Sequence, residues 1–270
     1  MSAGEKPAQW CTAIADVLPA DVNVRGYLLS NLIASASYPD VLYLVLTGRR
    51  ATPGQQRVIE AILVSAIEHG ISPSSVTTRQ MASYGVPTQV GVAAGLMTIG
   101  DYHGGAGEEL ARSMGEAVAA LDGRTPEQIK DAAARLVEQA KQEGRRLDGF
   151  GHPQHTADPR VPVLLDLARD NGVFSYHCEL LIAIEDEFVR GSGRRIAANI
   201  DGISAALLLD LGLDYRCARP LLMSARAIGL GAHFMEEQDQ HGRWRHVPLS
   251  EVEYTGPPFA EPSSGSGDER

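Results

Sequence analysis

His103 stands ahead of two glycines in YHGGAGEE, residues 102–109, an odd way to begin a helix. Glycine in a helix interior costs about 1 kcal/mol relative to alanine, so this chain gives up helical stability around an imidazole. A second histidine, His152, sits in DGFGHPQHTADPR, residues 148–160, with Gly149 and Gly151 before it and Pro153 after it. That segment cannot be helical through its centre. A carboxylate, Asp201, fronts the apolar run NIDGISAALLLDLG, residues 199–212. Singly, these are a turn histidine, a loop histidine and a helix N-cap, and Arg160 is a surface charge. Together they put titratable groups at helix ends and glycine-rich loops, where unpaired N–H groups favour negative charge. Such a set suits an anionic substrate and acid–base chemistry.

The elements that must position these groups read as helix after helix. TPGQQRVIEAILVSAIEHG opens with Thr52 as N-cap, Pro53 at the first helical position and Gln55 at capping-box spacing. Ile59, Ile62, Leu63, Ala66 and Ile67 share one face, and Gly70 suits the stop. TPEQIKDAAARLVEQAKQEG repeats this grammar with Thr125, Pro126 and Gln128. Further helices are predicted in PDVLYLVLTG, TQVGVAAGLMTIG, EELARSMGEAVAAL, PRVPVLLDLARDNG, SYHCELLIAIEDEFVRG, DGISAALLLDLG and DYRCARPLLMSARAIGLGAHFMEEQ. No series of alternating apolar residues between hairpin turns supports a sheet architecture. The class is all-α.

The chain has 270 residues, 44% hydrophobic and 21% charged, ordinary for a globular protein with ample core. Its net charge of −10 argues against a general nucleic-acid binder, which needs a basic face. No apolar run is long enough for a bilayer and no leader pattern is present, so a cytoplasmic location without membrane contact is expected. Cys11, Cys178 and Cys217 are scattered and form no CxxC pair, which predicts buried, reduced thiols and no structural zinc.

The ordered set HGGAGEE, GFGHPQHTADPR and NIDGISA, with SARAIGLGAH after it, resembles the citrate synthase family. VLYLVLTGRRATPGQQ and EHGISPSS upstream, and YTGPP near the end, extend the resemblance to nearly the whole chain except its tail. It implies an all-α, citrate-synthase-like fold: a large discontinuous domain of residues 1–103 and 206–260 and a smaller one of 104–205; the Pro/Gly/Ser-rich, charged composition of PPFAEPSSGSGDER separately predicts a disordered tail at 261–270. By the same resemblance His103, His152 and Asp201 are catalytic, and His69, Arg160 and Arg226 bind substrate carboxylates. The backbone of Gly149, Phe150 and Gly151 contacts coenzyme A, which enters as a substrate thioester. No metal or redox cofactor is implied.

The compact start, VNVRGYLLSNLIASASYPDVLYLVLTG, is similar to citryl-CoA lyases and to the C-terminal citryl-CoA-cleaving module of ATP-citrate lyase. The implied reaction is cleavage of citryl-CoA to acetyl-CoA and oxaloacetate by a homodimer. Alternatives are citrate or 2-methylcitrate synthesis from an acyl-CoA and oxaloacetate, and a non-catalytic subunit that binds CoA or a dicarboxylate. Two departures from the family pattern stand out, and the second favours a lyase-like or divergent member. Pro153, Gln154 and His155 replace the basic residue after the second histidine, leaving Arg145 and Arg146 as candidates for CoA phosphates. RWRHVPLSEVEYTG replaces an RPR-like segment whose arginine enters the partner's site, leaving Arg243 or Arg245 for that role. A histidine at a helix N-terminus is held neutral by the dipole and can donate to a developing oxyanion. A carboxylate stripped of water has a raised pKa and is a stronger base toward carbon.

Overall fold

A computed structural model describes residues 10–151, 157–193 and 195–259. His152 and the tail at 261–270 lie outside the described residues. The chain begins with strands β1 (Ala15–Val17), β2 (Val22–Val24) and β3 (Tyr27–Leu28) in one antiparallel sheet of that order. This small sheet is absent from the sequence expectation, because strands of two or three residues are too short to display alternation. Its local signal is the two-residue turn Arg25-Gly26, both at positive φ, the backbone that suits a tight hairpin.

Helices follow in the order α1 (Leu29–Ser35), α2 (Tyr38–Thr47), α3 (Pro53–Ala66), α4 (Pro73–Ser83), α5 (Thr88–Met97) and α6 (Ala106–Ala119). The remainder are α7 (Pro126–Gln142), α8 (Arg160–Asp170), α9 (Tyr176–Ser192), α10 (Ile200–Asp210) and α11 (Ala218–Asp239). The all-α class is therefore the observed one. Both predicted capping boxes form, at Thr52 with Gln55 and at Thr125 with Gln128. Helix α4 has no clear hydrophobic period because its buried face is polar: Ser74, Ser75, Thr78, Arg79 and Ser83 are all buried. Helix α3 ends at Ala66, short of the predicted stop at Gly70. The carbonyls that would bond the next helical amides accept from arginines instead, Ser65 from Arg160 Nη1 at 3.3 Å and Ala66 from Arg226 Nε at 3.0 Å.

Helix α10 organises the interior. It packs against α6, α9, α8 and α3. Ile203 and the run Ala205–Leu208 are buried, which explains an apolar sequence without a polar face. At its far end the buried Asp210 accepts from the backbone N–H groups of Ser175, His177 and Cys178, at 2.9–3.0 Å, and so caps α9. A second layer is formed by α4, α5 and α11, which pack on one another around the fully buried Phe234. Of the cysteines, Cys178 is buried as expected and burial pushes its thiol pKa up. Cys217 is half-buried, whereas Cys11 is exposed, because it precedes β1 outside both hydrophobic clusters. Among the described residues, no helix is long and apolar enough to cross a membrane, and no group of three or more His, Cys, Asp or Glu is placed to hold a metal ion.

Candidate active site

The C-terminus of α3 forms the cationic corner. Its last carbonyls carry the helix's partial negative charge, and the guanidinium groups of Arg160 and Arg226 converge on Ser65 and Ala66 there. His69 follows in the next turn. Arg160 is not the surface charge that its neighbours in sequence suggest. Its Nε and Nη2 grip Asp158 at 2.9 and 2.7 Å, its backbone N–H donates to the same carboxylate at 3.1 Å, and so does the N–H of Ile200, the first residue of α10, at 3.0 Å. Those bonds hold the Asp158 carboxyl below its ordinary range despite burial. One buried carboxylate thus ties an arginine of the pocket to the helix that carries Asp201.

Asp201 is freed from capping duty. The α10 cap is Asn199, whose Oδ1 accepts from the Asp201 and Gly202 N–H groups at 2.9 and 3.2 Å. The Asp201 side chain therefore faces a cavity from the first turn of α10. Burial raises its pKa, with Arg160 opposing and Asp158 reinforcing.

The glycines around His103 build a tight turn. Gly100 and His103 exchange backbone hydrogen bonds at 3.1 and 2.9 Å, and Gly104 takes a positive φ of 73°. A Cβ on Gly105 would come within 2.5 Å of the Gly100 carbonyl oxygen, so only glycine closes this turn. Helix α6 starts after it, at Ala106. His103 Nε2 lies 3.0 Å from the hydroxyl of Ser74, which is fully buried at the start of α4. Burial lowers the His103 pKa below 6.5, helped by the Arg226 charge. The cause differs from the sequence expectation, which assigned it to a helix dipole.

His69, His103, Arg160, Asp201 and Arg226 line a single cavity of about 340 Å³. Its remaining walls include apolar side chains such as Ile71, Ile99, Tyr102, Leu221 and Leu222. Gly149, Phe150 and Gly151 are not among its lining residues. They run beside the start of α10, where Asn199 N–H donates to the Gly149 carbonyl at 2.9 Å and Gly151 N–H to Ala197 at 2.7 Å. The pairing is antiparallel to residues 197–199, so Gly149 lies nearest the start of α10 and Gly151 farther back along the chain that leads into it. Arg245 is committed to the buried Glu237, and its Nη2 lies 3.0 Å from that carboxylate. Three site residues escaped the sequence reading: Ser74, Asp158 and Asn199. The last two sit inside segments singled out for their neighbours, in ADPR and NIDG. Ser74 carries no signal beyond the serine run after Pro73.

Residues 45–246 match the family described as citrate synthase, C-terminal domain. The citryl-CoA lyase of Hydrogenobacter thermophilus, a solved structure, is 32% identical to this chain, with a TM-score of 0.85 over 94% of this chain and 97% of that one. A citrate synthase from Heyndrickxia coagulans is 28% identical over 84% of this chain and 57% of its own length. A protein of Caenorhabditis elegans named "Probable ATP-citrate synthase" is 26% identical over 93% of this chain, which spans 24% of that relative. The chain thus spans little more than half the length of the one relative and about a quarter of the other. With a family match over most of its length and a predominantly helical fold, the chain belongs to the citrate synthase family.

Proposed function

We propose that the chain cleaves citryl-CoA to acetyl-CoA and oxaloacetate. The observation that carries this reading is the single cavity shared by two histidines, two arginines and one carboxylate whose pKa is raised. His152 takes the proton of the tertiary hydroxyl. As the ketone forms, the carbon–carbon bond breaks and its electron pair passes into the thioester, giving an enolate. His103 donates a hydrogen bond to the enolate oxygen, and Asp201 delivers a proton to the methylene carbon, which completes acetyl-CoA. His103 Nε2 pairs with the Ser74 hydroxyl, and the step uses the tautomer in which the serine donates and Nδ1 keeps the ring proton for the enolate oxygen. A raised Asp201 pKa supports the cleavage direction in particular, because the group must start protonated. His69, Arg160 and Arg226 bind the carboxylates, where bidentate guanidinium geometry fits and offsets desolvation of a dianion.

The lining residues come from both halves of the proposed division, His69, Ile99 and Arg226 from the larger domain and Gly107, Arg160 and Asp201 from residues 104–205. The turn at Gly104 and Gly105 is the hinge in this reading. Gly149–Gly151 carries coenzyme A along the backbone and delivers His152. The active form is a homodimer. Helices α4, α5 and α11 leave Val76, Val90, Met97, Ile228 and Met235 exposed, Met97 by 85%, a burden that a covered face removes. Light scattering at micromolar concentration is expected to give twice the chain mass, and a monomer overturns the dimer.

The reaction itself is tested by mixing purified protein with citryl-CoA and following oxaloacetate through a malate dehydrogenase couple. Oxaloacetate equimolar with acetyl-CoA supports cleavage. Free CoA released with citrate marks the last forward step of a synthase, hydrolysis of the thioester. CoA or dicarboxylate binding without any turnover marks a non-catalytic subunit.

A further inference from the structure

One face of α11 reads the end of α3 residue by residue. Arg226 donates to the Ala66 carbonyl. One turn on, a Cβ on Gly229 would come within 2.1 Å of the Ile67 carbonyl oxygen, so glycine lets the two backbones meet. A further turn places His233 Nε2 3.2 Å from Glu68 Oε1. The spacing 226, 229 and 233 is that of a single helical stripe. On its other side, His233 Nδ1 lies 3.2 Å from Arg79 Nη1.

Arginine has no acceptor, so Nδ1 of His233 accepts and the imidazole proton sits on Nε2, directed to Glu68. The same Glu68 oxygen accepts the His69 backbone N–H at 2.7 Å. Arg79 is held in turn by Glu236, by Glu237 at 2.7 Å and by Gln240 at 2.6 Å. Burial pushes the Glu68 carboxyl up, but His233 and the His69 amide outweigh it and hold the group below its ordinary value. Glu68 also opposes the effect of burial on Arg226.

We propose that the Arg79–His233–Glu68 chain is a positioning device that fixes the His69 turn and the Arg226 guanidinium at the carboxylate-binding end of the cavity. None of the three chain members lines the cavity, so they act through His69 and Arg226. The inference rests on the reading that this corner binds the dicarboxylate part of the substrate.

Four variants test it: Glu68→Ala and His233→Leu, which break the chain, and Glu68→Gln and His233→Gln, which keep an acceptor for His69 and a donor–acceptor pair, respectively. The breaking variants are expected to raise KM for citryl-CoA about tenfold with kcat within about threefold of the parent, and the glutamine variants to restore KM to within about threefold. Oxaloacetate affinity, measured by calorimetry, is expected to follow the same pattern. If the parent binds oxaloacetate in that pattern but cleaves no citryl-CoA, the lyase reading falls and the positioning chain stands. Equal KM and Kd across all four variants overturn it. So does a loss of kcat and thermal stability, with KM unchanged, that the glutamine variants fail to repair.

Discussion

Asp201→Asn is expected to lower kcat for citryl-CoA cleavage about a thousandfold, within the range set by loss of a positioned acid or base. Asparagine preserves shape and cannot deliver a proton to carbon. The helix that carries it survives, since the α10 cap is Asn199 bonding backbone N–H groups that the substitution leaves in place. Stability moves the other way. Burial raises the Asp201 pKa, so between its unfolded and folded values the native state holds more protons than the unfolded chain. Stability from this group is present at low pH and lost as pH rises through the folded value. Above the ordinary carboxylate range the buried acid is thus a cost to the fold, and the asparagine variant is expected to melt at a higher temperature than the parent. The same raised value places the basic limb of the kcat profile above the ordinary carboxylate range, because cleavage needs the protonated form. Turnover within tenfold of the parent, or a lower melting temperature, contradicts this assignment.

How much of this was legible in the residues depends on whether a role leaves a pattern in one segment. The capping boxes at Thr52 and Thr125 are local, and both form. The strands of two or three residues are local as well, but too short for a period. Helix α4 is hidden for a different reason: it buries serines and an arginine, whose partners are on α11 and in the His103 turn, far away in sequence. The early end of α3 is a tertiary effect, set by two arginines from α8 and α11 that capture its last carbonyls. The site shows the same division. His103 and Asp201 stand out because glycine and helix-start chemistry surrounds them. Asp158 and Ser74 do not, because each acts by holding another group. Sequence therefore marks groups whose backbone is unusual, while the residues that orient them emerge only from packing.

His103→Ala is expected to lower kcat by about a hundredfold to a thousandfold, the range for removing one donor to a developing oxyanion. The effect falls on kcat more than KM, since the enolate oxygen gains its charge only as the carbon–carbon bond breaks. Wild-type pH dependence carries a second signature. A solvent-exposed imidazole begins to charge near pH 6.5, but burial and the Arg226 charge lower the His103 value. The ring remains neutral at pH values where a free histidine is protonated, so it keeps the same donor and the same hydrogen bond to Ser74. The His103 contribution to the acid limb of kcat is therefore expected below pH 6.5. Replacing Arg226 with glutamine removes the second cause and should let the imidazole titrate at higher pH, observable by NMR of the ring protons. An imidazole that titrates at or above 6.5 in the parent would contradict the burial argument, and a KM effect exceeding the kcat effect in the alanine variant would move His103 from the enolate to ground-state binding.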